Sequence, residues 1–200
     1  MSRTQEICRF ALEHMTIVEA AATAVQSMTT QVFGSINGTL RELAETRGWA
    51  FGVEEQIYGY AIPLGWRNDP RPERCHRYQL GFHPYARPRY PLAALLRRVP
   101  GHYAVFSVSF SDHDIPMVLD RYEEKSSELR GLGVGLIGNR LEIPFILDTD
   151  LVLDEFEKET LTMHSEAMRP VDDAIVTLKR VHRPIRDIVE AVLHRQKMER

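Results

Sequence analysis

Eight arginines crowd between Trp66 and Arg98: Arg67, Arg71, Arg74, Arg77, Arg87, Arg89, Arg97 and Arg98, opposed only by Asp69 and Glu73. A guanidinium group is a planar, always-charged fork that matches phosphate and carboxylate oxygens. Trp66, Tyr78, Phe82, Tyr85 and Tyr90 are threaded among these arginines. Flat aromatic faces stack on bases, so the combination suits single-stranded nucleic acid or a nucleotide. The residues expected to bind are Arg67, Arg74, Arg77, Arg87, Arg89 and Tyr85. A competing use is internal: residues 112–173 carry six basic and sixteen acidic side chains, and blocks of opposite sign pair readily within one fold.

A second cluster, Asp112-His113-Asp114, follows the strand-like run Tyr103–Phe110. Carboxylates at a strand's C-terminal edge can hold a divalent cation, and an imidazole can move a proton. With Glu55 they form the candidate catalytic set Asp112, Asp114 and Glu55. The structural alternative is that Asp114 caps the helix that begins at Ile115. Cys75, His76, His83 and His102 lack the close ligand pairs of a zinc site, so no metal site is predicted from them. Gly133-x-Gly135-x-x-Gly138 matches the dinucleotide string, but a helix precedes it and a strand follows. That is the reverse of what a phosphate needs, so the glycines read as turns. No P-loop, HExxH, GxSxG or catalytic-cysteine signature is present.

The elements that position these residues follow from periodicity. Apolar residues from Ile7 to Val32 recur at steps of three and four, which predicts a long amphipathic helix over 4–36. Asn37-Gly38 is expected to end it, with Thr39 and Glu42 boxing a short helix to Gly48; the alternative is one bent helix to Arg47. Residues 49–53 and 57–62 read as a hairpin and 76–82 as a third strand. Residues 103–110 read as the central strand, and 132–137 with 140–147 as a hairpin turning at Gly138-Asn139. Helices are expected at 92–98, 116–130 and 151–168, the last capped by Asp150. A final helical region opens at Pro170, with Pro184 breaking or kinking it.

Fold class is therefore α/β or α+β, with a central mixed sheet of about five to six strands flanked by a long N-terminal helix and C-terminal helices. Residues 1–150 form the core domain, and 151–200 a helical region packed on that core or on a partner. With 44% hydrophobic and 26% charged residues the chain is ordinary for a globular protein. No apolar run reaches membrane-spanning length, and the first residues lack a signal-peptide core. Two cysteines, Cys8 and Cys75, are too few for a disulfide framework. Together these features point to a cytoplasmic protein that does not engage a membrane.

The order helix, hairpin, central strand, helix, and then the strand Gly133-Val134-Gly135-Leu136-Ile137 resembles the restriction-endonuclease-like, or PD-(D/E)XK, superfamily over roughly residues 1–147. The resemblance implies metal-dependent nucleic-acid cleavage. Its catalytic acids and lysine have no counterpart in Phe106-Ser107-Val108-Ser109-Phe110, and Asp112 is the nearest substitute. The reading that follows is a non-catalytic binding protein, engaging nucleic acid or a protein partner through the arginine and aromatic segment, with no cofactor. The alternatives are a divergent nuclease or other hydrolase using a divalent cation, and a structural subunit that homo-oligomerises through its N- or C-terminal helices.

Overall fold

Thirty-three consecutive residues of one helix tie the architecture together. In the computed structural model, which describes residues 3–55, 57–63, 65–66, 78–84, 91–96 and 104–199, α1 (Arg3–Glu13) leads into α2 (Met15–Arg47). The helical hydrogen bonds continue through the junction, from His14 N to Phe10 O and from Val18 N to His14 O. The helix bends at His14, where φ is −122° and ψ 32°. Gly48 ends α2 in the left-handed conformation at φ 65°, which glycine adopts without a Cβ clash.

The expected stop at Asn37-Gly38 does not occur. Asn37 is buried, and its carboxamide donates to Ile57 O at 3.0 Å and accepts from Gly59 N at 2.9 Å. Gly38 leaves room for Met163, whose Sδ would lie 2.9 Å from a Cβ there. Both residues that favour turns are spent on tertiary contacts instead, and packing overrides their local preference.

The sheet has six strands: β1 (Ala50–Glu54), β2 (Tyr58–Ile62), β3 (Leu80–Pro84), β4 (Ala104–Ser109), β5 (Gly135–Ile137) and β6 (Arg140–Phe145). Their spatial order is β1-β2-β3-β4-β6-β5. The α/β class, strand number and flanking helices are as expected, but every pairing is antiparallel, so the sheet is not mixed. Hairpins join β1 to β2 and β5 to β6, and among the described residues no strand runs parallel to its neighbour.

One sheet face carries Phe82, Phe106 and Phe145, with ring centroids 5.1–6.3 Å apart. Phe33 of α2 packs on Phe82 at 5.4 Å. The remaining helices are α3 (Pro91–Leu95), α4 (Ile115–Glu124), α5 (Ser126–Gly131), α6 (Thr149–Glu157) and α7 (Arg169–Met198). The expected helix over 116–130 is interrupted at Lys125, whose Nζ reaches Asp187 of α7 at 3.0 Å. Asp148, rather than Asp150, caps α6 by accepting from Asp150 N and Leu151 N, and α6 ends at Glu157, well short of residue 168. Pro184 lies inside an unbroken α7. Val181, Ile185, Ile188 and Val189 are all buried around it, and their packing outweighs the one backbone bond the ring removes. α7 lies against α2, α4 and β6 of its own chain.

Candidate functional site: a buried carboxylate latch

Chain reversal after β4 sets the site. Residues Asp112–Asp114 form one 3-10 turn leading into α4, so successive side chains diverge. Asp112 and His113 point to solvent, whereas Asp114 is 0% exposed. Asp114 does not cap α4 through its side chain; the carboxylate turns inward. Oδ2 accepts from Ser111 Oγ at 2.6 Å, from Tyr78 Oη at 2.8 Å and from Gln196 Nε2 at 3.0 Å. Oδ1 accepts from Arg195 Nη2 at 2.6 Å. The same Arg195 nitrogen donates to His113 O at 3.0 Å and lies 3.1 Å from His113 Nδ1. Gln196 also donates to Tyr78 Oη at 2.9 Å.

Burial pushes the Asp114 carboxyl upward. Hydrogen bonds from Ser111 and Tyr78, with the Arg195 charge, outweigh that and hold it below the usual carboxylate range. Burial, then the hydrogen bond to this carboxylate, drives the Tyr78 phenol far above its ordinary value. A carboxylate facing four donors is poorly placed to take a proton or a cation. It works instead as a latch, fastening the end of α7 to the β4–α4 junction and to the start of β3. Glu55 lies elsewhere, in the β1–β2 turn at φ 50°. Among the described residues, no three His, Cys, Asp or Glu side chains converge as metal ligands.

Every residue expected to bind an anion, Arg67, Arg74, Arg77, Arg87, Arg89 and Tyr85, lies outside the described residues, as do Cys75, His76 and His102. The structure does place the flanks of the first arginine group. Trp66 is 1% exposed, and its carbonyl accepts from Tyr78 N at 3.1 Å. Residues 66 and 78 are thus joined beside the latch.

Two further groups belong to no motif in the sequence. His182 packs against both Trp49 (centroids 4.8 Å) and Trp66 (6.1 Å, planes 10° apart). Burial, and then the charges of Arg47 and Arg186, lower its pKa. Glu142 is 0% exposed on β6, 3.4 Å from Arg140 Nε. The register aligns Gly52, Tyr60, Gly81, Ser107, Glu142 and Gly135 across all six strands, on the face opposite Phe106. An acid inside the apolar run Leu141–Phe145 is the signal that would have found it. A groove of about 290 Å³ between α2 and α7 includes Glu42, Asp172 and Lys179 in its wall. Burial, with Asp173 and Glu42 nearby, raises the Asp172 pKa there against the opposing pull of His164.

No helix among the described residues is long and apolar enough to cross a membrane. The chain matches no family model, no curated protein and no solved structure.

Proposed function

We propose that this protein is a non-catalytic binding protein whose ligand is single-stranded nucleic acid, held by the arginine and aromatic side chains between Trp66 and Arg98. The observation that carries the reading is the pairing of charge with anchorage. The segment has a net charge of +6, and its first arginine group leaves from Trp66 and returns at Tyr78, two buried residues bonded to each other. A chain segment whose two ends are already joined has less freedom left to lose when its cations meet a phosphate chain.

The acidic block supports the same reading to the extent of these five of its sixteen carboxylates, which have bases of their own. Glu123 is paired with Arg130, Glu124 with Arg121, Asp154 with Lys158, Glu166 with Arg169 and Asp114 with Arg195. The non-catalytic half of the reading draws on Asp114, the best acid of the expected catalytic set, being engaged by four donors.

Fluorescence anisotropy with a labelled single-stranded oligonucleotide tests this. Affinity is expected to fall linearly on a log–log plot against salt. Replacing Arg74, Arg77, Arg87 and Arg89 by alanine is expected to reduce the slope by about 3, at roughly 0.7 per phosphate contact. Tyr85→Ala is expected to weaken binding by about 1–3 kcal/mol if Tyr85 stacks on a base. Absence of binding at low salt, or an unchanged slope in the quadruple variant, rejects the reading. Magnesium- or manganese-dependent cutting abolished by Asp112→Asn would replace it with the nuclease alternative.

A further inference from the structure

The β1 edge of the sheet carries a second set of arginines and aromatic rings, outside the segment from Trp66 to Arg98. β1 is the first strand in the sheet order and pairs with β2 alone. Gly48 turns the chain out of α2, and Trp49 N then donates to Ala44 O at 2.8 Å, which fixes the indole at the start of the strand. Phe51 follows two positions on. Both rings pack partly against the core and keep the rest of their surface in solvent. Each has guanidinium groups beside it. Arg41 stands over the Phe51 ring, 5.0 Å from its centroid. Arg47 is two residues from Trp49. His182, whose ring lies 4.8 Å from that of Trp49, feels the charges of both Arg47 and Arg186.

These three arginines are weakly neutralised. Among the described residues Arg41 and Arg47 form no ion pair. Arg186 sits 3.9 Å from Asp187 and 3.7 Å from Glu190, outside hydrogen-bonding range, and Asp187 is already held by Lys125 at 3.0 Å. Glu42 faces His164 at 3.7 Å, and Glu54 accepts from Gln79 at 3.3 Å. That leaves Glu45 and Glu190 to set against three guanidinium groups, so the corner keeps a net positive charge.

We propose that this edge is a second contact for single-stranded nucleic acid, with one base stacked on the Trp49 ring and the flanking phosphates on Arg47 and Arg186. The ligand class rests on the function proposed above, whereas the residues of the contact are all different. A half-exposed indole between two guanidinium groups matches a polyanion that also carries flat bases. An acidic peptide would engage the charges and leave the ring unused. The two contacts also adjoin in the fold. Trp66, from which the arginine segment leaves, has its ring 6.1 Å from that of His182 with the planes 10° apart, so Trp49, His182 and Trp66 form one aromatic cluster. Trp66 is buried within it, and Trp49 is the indole that reaches solvent.

Tryptophan emission reads this contact directly, because Trp49 and Trp66 are the two tryptophans of the chain and a stacked base quenches an indole. Titration of the full chain with a single-stranded oligonucleotide at low salt is expected to quench the emission. Trp49→Phe is expected to abolish the quench and to weaken binding less than Trp49→Ala does, because a flat ring remains. Trp49→Ala is expected to lower affinity about tenfold. Arg47→Ala combined with Arg186→Ala is expected to reduce the salt slope by about 1.4, at roughly 0.7 per phosphate contact. Arg169→Ala, about 20 Å back along α7 from His182, is expected to leave the slope unchanged. An oligonucleotide that binds through Arg74, Arg77, Arg87 and Arg89 without changing the emission overturns this inference and leaves the function proposed above standing. So does a quench that survives Trp49→Phe, or an unchanged slope in the Arg47 and Arg186 double variant. Polyglutamate displacing the oligonucleotide as readily as a second oligonucleotide does would assign the edge to an acidic protein and overturn it too. Absence of any oligonucleotide binding at low salt overturns both readings.

Discussion

Asp114 shows how one residue's role follows from its donors. Breaking a buried ion pair by removing one partner costs about 3–5 kcal/mol, because the remaining charge has no compensation. Arg195 keeps some solvent access and His113 O as an acceptor, so Asp114→Asn is expected to cost about 3 kcal/mol, the lower end of that range, in urea unfolding at neutral pH. The sign of the pH dependence follows from the lowered pKa. The stabilisation is present above the ordinary aspartate value of about 3.9 and is lost as pH falls through the lower value of the folded state. In Asp114→Asn that part of the acid sensitivity disappears. His182 behaves alike in sign. Its folded pKa lies below the unfolded value of about 6.5, so stability present above pH ~6.5 declines as pH falls. Thermal unfolding between neutral and mildly acidic pH is expected to show a decline that His182→Phe, which keeps a ring against Trp49 and Trp66, largely removes. An unaltered slope would mean that the two indole faces stabilise the imidazolium enough to offset burial.

Among the elements, α2 separates what local pattern reveals from what it hides. Its apolar periodicity is plain in the sequence, and so is its end at Gly48. Its continuity through Asn37-Gly38 is not, because the carbonyl and amide that hold Asn37 belong to residues about twenty positions away. Asn37→Ala would leave Ile57 O and Gly59 N in part-buried surroundings without their side-chain partner, and is expected to cost about 1–3 kcal/mol in chemical denaturation. A cost near zero would mean that the β1–β2 hairpin is held by α2's apolar face alone. The β5–β6 hairpin is legible because its turn carries the instruction: Gly138 has φ 60°, as a primed turn demands. The break expected at Pro184 is absent for the opposite reason. A proline argues locally against a helix, and the buried residues on either side of it argue for one through contacts that only the fold supplies.

For the molecule as a whole, layer type and strand count were readable, since alternating and 3.6-residue patterns report burial directly. Pairing direction was not, because an apolar run such as Val105–Val108 looks the same in either orientation. The latch was half legible. Asp112-His113-Asp114 stood out as a cluster, but Tyr78, Arg195 and Gln196 lie 36, 81 and 82 positions from Asp114, beyond any motif's reach. The charge blocks resolve partly: acidic residues of the second half find neighbouring bases within their own helices and turns, and α7 supplies Arg195 to the latch.

α2 also has two different surroundings along one rigid axis. Its last turns are clamped under the sheet and its first turns stand in solvent, with a single bend where it meets α1. Whatever grips the outer end therefore grips a spar, not a leash. The heading of the sheet relative to the gripped partner is set by the clamp around Asn37 and Gly59, and loosening that clamp would let the body swivel while the grip itself stayed intact.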